Sequence, residues 1–272
     1  MNQFKLGLLF ALLVGLMGLL VLLYTTNSKL PPVVKVIADP LEEAMESVGA
    51  IHFDTNAGSF IIVGREDQHD GKYLYHAITC YHVVNKVATK AQEYQDATVA
   101  IQIDFHQQPK VIETKLTSIN YLVPARDWAM ISFILDVKLP CAIFATKEEF
   151  NSMARFETIY GVGADDASWL MSRTGTIAAT SNVDIFLADS QSENDEPWNA
   201  LAEIYFHTTQ PISRGCSGGG IFRKNGHLIG MYTALTIRSS TGVDSLPHSA
   251  VAQKTFEIRK LILKDELVGV KD

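Results

Sequence analysis

The stretch Ser213-Arg214-Gly215-Cys216-Ser217-Gly218-Gly219-Gly220 carries four glycines in eight positions and a hydroxyl in its middle. Such a density of glycine marks a backbone that turns sharply or lies close against another molecule. A serine presented on a turn of this kind, with neighbouring backbone N–H groups aimed at the same point, has the arrangement that a developing oxyanion needs. Ser217 is therefore the candidate nucleophile. Read alone, the stretch also fits a glycine-rich hairpin loop ahead of a strand at Ile221-Phe222, so the decision rests on whether the chain supplies partners for the serine.

A serine hydroxyl attacks only as its proton leaves, which requires a base with a pKa near neutral. Of the eight histidines, His82 stands apart: it follows the apolar run Ala77-Ile78-Thr79-Cys80, where a strand gives way to helix-forming residues. A strand end can hold a side chain firmly at a cleft. His52, His69, His76, His106, His207, His227 and His248 lack comparable surroundings and read as background. The imidazole in turn needs a carboxylate to fix its tautomer and stabilise its charged form. Asp127, in Arg126-Asp127-Trp128-Ala129-Met130-Ile131, directly precedes an apolar strand that would draw it towards the interior, and buried acids are rare unless partnered. On local grounds alone, a structural histidine and a strand-capping aspartate remain open readings of the two.

The bulk composition narrows the class. With 272 residues, 47% of them apolar and 19% charged, the chain reads as folded, with room for one large domain or two small ones. A formal net charge of −7 and the lack of any lysine or arginine cluster argue against nucleic acid as the main partner. Cys80, Cys141 and Cys216 make an odd number without C-x-x-C spacing, so neither a disulfide framework nor a zinc knuckle is implied. In the absence of a nucleotide-binding glycine loop or a zinc helix motif, no cofactor and no metal are expected.

Residues 6–24, LGLLFALLVGLMGLLVLLY, run without a charge, and a helix rising 1.5 Å per residue over that length nearly matches a hydrocarbon core of about 30 Å. A cleaved signal sequence is the alternative, but it usually has a shorter apolar region of about 7–15 residues and a small-residue cleavage site, which Thr25-Thr26-Asn27-Ser28 does not offer. The expectation is an anchor over 1–26, with the body outside the cytoplasm, then a stiff linker over 27–39 containing Pro31-Pro32. A short helix opens at Pro40 behind an Asp39 N-cap. Short β-like runs follow at 49–53, 59–63, 73–79, 98–105, 116–121 and 129–135, with turn signals at Asn56-Ala57-Gly58 and Asp70-Gly71 and a surface helix over 83–94. A second series covers 158–162, 175–179, 204–208, 219–223, 228–234 and 249–251, with a hairpin turn at Asn225-Gly226 and a final helix over 252–264. Many short strands and almost no long helices give an all-β fold, with the sheets closed into barrels or stacked as a sandwich.

Taken together, these settings resemble the trypsin-like serine peptidases. Ala77-Ile78-Thr79-Cys80-Tyr81-His82-Val83-Val84 resembles the histidine block of that family, Asp127-Trp128-Ala129-Met130 its aspartate block, and Gly215-Cys216-Ser217-Gly218-Gly219 its "G-x-S-G-G" block, in the family's order. Gly58-Ser59-Phe60-Ile61-Ile62, and Ile159-Tyr160-Gly161-Val162-Gly163 through Thr174-Gly175-Thr176-Ile177, are similar to stretches of the bacterial Deg/heat-shock branch. The resemblance covers about residues 40–264. It implies two antiparallel six-stranded β-barrels, about 46–140 and about 141–250, followed by a C-terminal helix, within a peptidase domain of 40–272. It implies a triad of His82, Asp127 and Ser217, an oxyanion hole from the backbone N–H groups of Gly215 and Ser217, and a specificity pocket with Pro211 near its floor and Tyr232, Thr233 and Ala234 as a wall. Since no carboxylate stands at that floor, a preference for apolar or small residues is expected.

The sequence also departs from the family. Cys216 stands where digestive members have the aspartate that pairs with a newly cut amino terminus, so that activation switch is absent. Gly220 replaces a common proline, Ser213-Arg214 replaces the Deg-type pair with Arg214 on the leaving-group side, and no PDZ domain is expected in the eight residues after the final helix. The resemblance brings Cys80 and Cys216 near the catalytic centre, as two buried thiols or, alternatively, as a redox-sensitive pair. Register gives the nucleophile's place to Ser217 rather than Cys216. The acidic segment 189–198 reads as a solvated insertion, with steering of basic substrates or weak calcium binding as alternatives. The reading as a whole is a membrane-anchored serine endopeptidase acting on protein or peptide substrates. Its alternative is a catalytically silent domain that binds peptides or a protein partner at the membrane.

Overall fold

The computed structural model describes residues 39–53, 56–88, 98–103, 110–165, 169–180, 204–234 and 250–264. The chain divides into two units, Met1–Ala38 and Asp39–Asp272. The expected anchor over 1–26, the linker up to residue 38 and the acidic segment 189–198 lie outside the described residues. Among the described residues no helix is long and apolar enough to cross a membrane.

The body opens with α1 (Pro40–Met45), whose Asp39 carboxylate accepts the Leu41 N–H at 2.9 Å, so the N-cap read from sequence is formed. Six strands then close a barrel: β1 (Val48–Phe53), β2 (Asn56–Gln68), β3 (Lys72–Thr79), β4 (Thr98–Ile103), β5 (Lys110–Val123) and β6 (Trp128–Leu135), in the order β1-β2-β3-β6-β5-β4. The helix α2 (Tyr81–Ala88) leaves the end of β3. Inside the barrel Phe133 lies edge-on to Phe60 at 5.3 Å and stacks on Tyr75 at 5.6 Å. The Tyr75 hydroxyl donates to the Val137 carbonyl and accepts from the Leu139 N–H, both at 2.7 Å, which ties the outgoing chain to the barrel wall. One pairing decides the site. β3 and β6 run antiparallel with Thr79 opposite Ala129, so the residues just after β3 and just before β6 meet at one rim.

The second half contains β7 (Ile143–Phe144), α3 (Lys147–Asn151), β8 (Thr158–Asp165), β9 (Trp169–Ala179), β10 (Tyr205–Thr208), β11 (Gly220–Phe222), β12 (His227–Ala234), β13 (Ala250–Lys254) and α4 (Thr255–Lys264). The first expected barrel is present, and the second half is a seven-stranded sheet in the order β11-β8-β9-β10-β13-β12-β7, in which an added β11–β12 pairing closes six strands into a ring and leaves β7 outside it. The extra strand is β7, which lies parallel to β12 because the crossing chain runs alongside it. Phe150 packs edge-on against Phe206 and Phe256 at 5.2 and 5.4 Å, joining α3, β10 and α4 in this half's core.

Several boundaries differ from the sequence reading. The final helix begins at Thr255 rather than 252, because Ala252 and Gln253 pair with β10 and β12. Asn56-Ala57-Gly58 is strand rather than turn, paired with Phe53, His52 and Ile51. The helix expected over 83–94 starts at Tyr81 and is described to Ala88. The turns at Asp70-Gly71 and Asn225-Gly226 form as expected, with positive φ at both glycines (82° and 81°).

Candidate active site

The turn before β6 positions Asp127. Pro124–Arg126 makes one 3₁₀ turn, the Asp127 N–H closes on the Pro124 carbonyl at 3.1 Å, and Asp127 itself lies in the left-handed region at φ 49° and ψ 44°. A non-glycine residue there stores backbone strain on the order of 1–3 kcal/mol, and aspartate is among the side chains that best tolerate it. The conformation turns the carboxylate towards the start of α2. There it accepts from His82 Nδ1 at 2.8 Å through Oδ2, and from the His82 backbone N–H at 2.9 Å through Oδ1. Side chain and main chain of one residue are thus gripped by one carboxylate. The Asp127 side chain is 13% exposed and that of His82 46%, so the buried acid holds a ring whose far edge faces solvent. A ring donating from Nδ1 leaves Nε2 with its lone pair free to take a proton.

The glycine-rich stretch makes two successive tight turns. The Cys216 N–H reaches the Ser213 carbonyl at 3.3 Å and the Gly219 N–H reaches the Cys216 carbonyl at 2.8 Å, with φ of 93° at Gly215 and 88° at Gly218. Gly218 has a second reason to lack a side chain: a Cβ there would sit 2.1 Å from the Ser59 carbonyl oxygen. Ser217 stands between the turns, half-buried, with its carbonyl accepting the Ser59 N–H at 2.8 Å. Among the described residues, the N–H groups of Gly215 and Ser217 have no hydrogen-bond acceptor, and no hydrogen bond joins Ser217 to His82. Catalytic hydrogen bonds often tighten only when substrate is bound.

Three contacts hold this loop in place. Ser59, fully buried on β2, donates through Oγ to the Gly215 carbonyl and accepts the Ala164 N–H, both at 2.7 Å. Cys216 Sγ donates to the Ala164 carbonyl at 3.2 Å. At the head of the loop, Ser213 Oγ bonds the Asp165 carboxylate, which also pairs with Arg173 at 3.4 Å. None of Ser59, Asp165 and Arg173 was singled out as a site residue from the sequence, since each acts across a sequence gap that no local signal spans.

Cys80 is the link between the two halves of the site. Its buried Sγ donates to the Tyr232 carbonyl at 3.1 Å, the same oxygen that accepts the Gly218 N–H at 2.8 Å, while its sulfur and the ligating atoms of His82 and Asp127 lie within 4.8 Å of one another. The residue next to Ser217 and the His82–Asp127 pair therefore share one neighbour. Burial pushes the Cys80 thiol well above its usual pKa, and the Asp127 charge adds to that. Cys80 and Cys216 are both free buried thiols.

Of the residues expected around a specificity pocket, Tyr232, Thr233 and Ala234 lie on β12 and Pro211 on the chain between β10 and β11. Pro211 is exposed. The Tyr232 ring, however, is fully buried in the second core, where its hydroxyl donates to Gln210 Oε1 at 2.6 Å. Gln210 Nε2 donates onward to the Arg173 carbonyl at 3.0 Å. The part of Tyr232 turned to the nucleophile loop is its backbone carbonyl, which accepts the Gly218 N–H. Thr233 is buried, and Ala234 pairs with Val251 at the end of β12. Of the other histidines, His76 bonds Ser132 Oγ at 2.9 Å and Glu66 Oε1 at 3.1 Å, and His227 bonds Glu149 Oε1 at 2.7 Å, which are structural roles.

Residues 58–231 match the family described as Trypsin-like peptidase domain. No curated protein matches the chain by sequence. Among solved structures, the chain is similar to Deg5 at 20% identity and a TM-score of 0.55, over 81% of this chain and 89% of that one. It is similar to the HtrA-type protease AlgW with tripeptide at 20% and 0.55, over 84% of this chain and 64% of that one. A third is an inactive form of Rv3671c from M. tuberculosis H37Rv, at 17% and 0.55, over 89% and 98%. At these identities the structures speak to the fold, while the family match covers more than half of the chain. The protein belongs to the trypsin-like peptidase family.

Proposed function

We propose that the protein is a membrane-anchored serine endopeptidase whose triad is His82, Asp127 and Ser217. The observation that carries this reading is the grip of the Asp127 carboxylate on both the ring and the backbone N–H of His82, linked through Cys80 and the Tyr232 carbonyl to the glycine-rich turn that carries Ser217. Ser217 Oγ attacks the peptide carbonyl as its proton passes to His82 Nε2, and Asp127 stabilises the resulting imidazolium. The tetrahedral oxyanion is received by the Gly215 and Ser217 N–H groups, each worth roughly 3–4 kcal/mol in the transition state. The proton returns to the leaving amine, and a water activated by the same histidine hydrolyses the acyl-enzyme. The anchor is 1–26 with its apolar run at 6–24, the linker is 27–39 and the catalytic domain is 40–272 on the extracytoplasmic side. The substrates are proteins or peptides.

Labelling with a fluorophosphonate tests the reading: the wild type is modified, and Ser217→Ala and His82→Ala are not. The alternative reading is a silent domain that binds peptides or a partner at the membrane. A folded wild type that resists the probe would select it.

A further inference from the structure

Cys80 Sγ, the His82 ring and the Asp127 carboxylate present one sulfur, one nitrogen and one oxygen donor within 4.8 Å of one another. Zinc binds this mixture of ligand types at about 2.3 Å to sulfur and about 2.0–2.2 Å to nitrogen and oxygen, which places ligands of a tetrahedral site about 3.3–3.6 Å apart. His82 Nδ1 and Asp127 Oδ2 are 2.8 Å apart, so drawing the three donors onto one ion takes shifts on the order of 1 Å. Cys80 is fully buried and the Asp127 side chain 13% exposed, so an ion reaches the three donors past the His82 ring, itself 46% exposed, and water can complete the coordination. Cys80 has no part in the proposed proton transfers.

We propose that these three side chains form an inhibitory site for a zinc-type divalent cation, closing the active centre from behind the imidazole. On binding, the Cys80 thiol releases its proton to solvent and ligates as thiolate. The charge of a bound ion overrides the burial that otherwise keeps this thiol protonated. The cation takes the lone pair at His82 Nδ1, so the ring carries its one proton on Nε2. That nitrogen faces the nucleophile and can no longer accept the Ser217 proton. The metal also occupies the carboxylate that would stabilise the imidazolium. Inhibition thus follows from locking the wrong tautomer, without blocking the substrate cleft.

The inhibition rests on the peptidase reading, whereas the binding does not, and the two are measured separately. In the full chain, Co²⁺ replaces Zn²⁺ as a spectroscopic probe. A thiolate-to-cobalt charge-transfer band in the wild type that is quenched by Zn²⁺ and absent in Cys80→Ser is expected. Cys80→Ala serves as a second variant should the serine form fail to fold. For activity, Zn²⁺ is titrated against fluorophosphonate labelling, each protein being compared with its own metal-free rate. The wild type is inhibited and recovers with EDTA. Cys80→Ser requires more than about 10-fold more zinc, because even outer-shell changes shift metal affinity about 10–100-fold. The site is overturned if no cobalt–thiolate band forms, or if zinc inhibits wild type and Cys80→Ser equally. A band without inhibition would leave the metal site standing and overturn the inhibitory role.

Discussion

Replacing Ser59 by alanine separates the loop-holding role of β2 from its role in the barrel. The hydroxyl at 59 bridges the Gly215 carbonyl and the Ala164 N–H at 2.7 Å each. Without it the fully buried Ala164 amide is left with no acceptor, which costs about 1–3 kcal/mol, while the half-buried Gly215 carbonyl recovers part of its loss from water. The catalytic effect is larger than the stability change alone would give. With its carbonyl released, the Gly215–Cys216 peptide plane can rotate about the Gly215 backbone, and this loosens the preceding Arg214–Gly215 peptide, whose N–H is the one proposed to face the oxyanion. Complete loss of one such donor lowers kcat by about 10²–10³-fold. Loosening rather than removing it predicts a fall of about 10–100-fold in kcat with KM little changed, since the donor acts mainly on the transition state. The assay is steady-state hydrolysis of a peptide ester by the alanine variant, with urea unfolding alongside. A variant that loses stability yet keeps kcat/KM within about twofold of wild type would reduce Ser59 to a structural residue.

Asp127→Asn should fold, because asparagine also tolerates the left-handed conformation at that position. Its turnover should fall by about 10⁴-fold, as an asparagine favours the wrong tautomer of His82; near-normal turnover in the same assay would remove Asp127 from the triad. Glu149 is a pH-dependent stabiliser of the second half. Burial acts upward on its carboxyl, but the Thr146 N–H together with His227 and Arg223 hold it below its ordinary value of 4.5. A depressed folded pKa contributes stability above the unfolded value, and that contribution is lost as pH falls through the folded one. The urea midpoint of Glu149→Gln should therefore lie below wild type at neutral pH and converge with it at the acid end of a titration below 4.5. A gap that persists unchanged through that range would contradict the linkage.

What could be read from the sequence was chemistry with a local signature. Asp39 ahead of Pro40, Gly226 after Asn225 and the three blocks around His82, Asp127 and Ser217 each announce themselves within a few residues. The capping box of Thr146 and Glu149 was equally legible in the T-x-x-E pattern and went unread. What the sequence concealed depends on long-range register. Ser59 and Gly215 are 156 positions apart, and only the docking of β2 against the nucleophile loop brings them into contact. The placing of the Tyr232 ring has a related origin. A tyrosine at the end of a strand fits a pocket wall as well as a core, and its burial is decided by Gln210, 22 positions away. The same holds for the approach of Cys80 to Asp127, which a β3–β6 register shifted by one residue would abolish.

In the proposed mechanism Ser217, activated by His82, attacks a carbonyl held by two inward-facing amides. A crystal structure of the full chain with a peptide boronate tests it most directly. The expected result is a covalent bond from Ser217 Oγ to boron, with one boronate oxygen about 2.7–3.1 Å from the N–H groups of both Gly215 and Ser217. A boronate left unbound at saturating concentration, or attached to any other side chain, would contradict it.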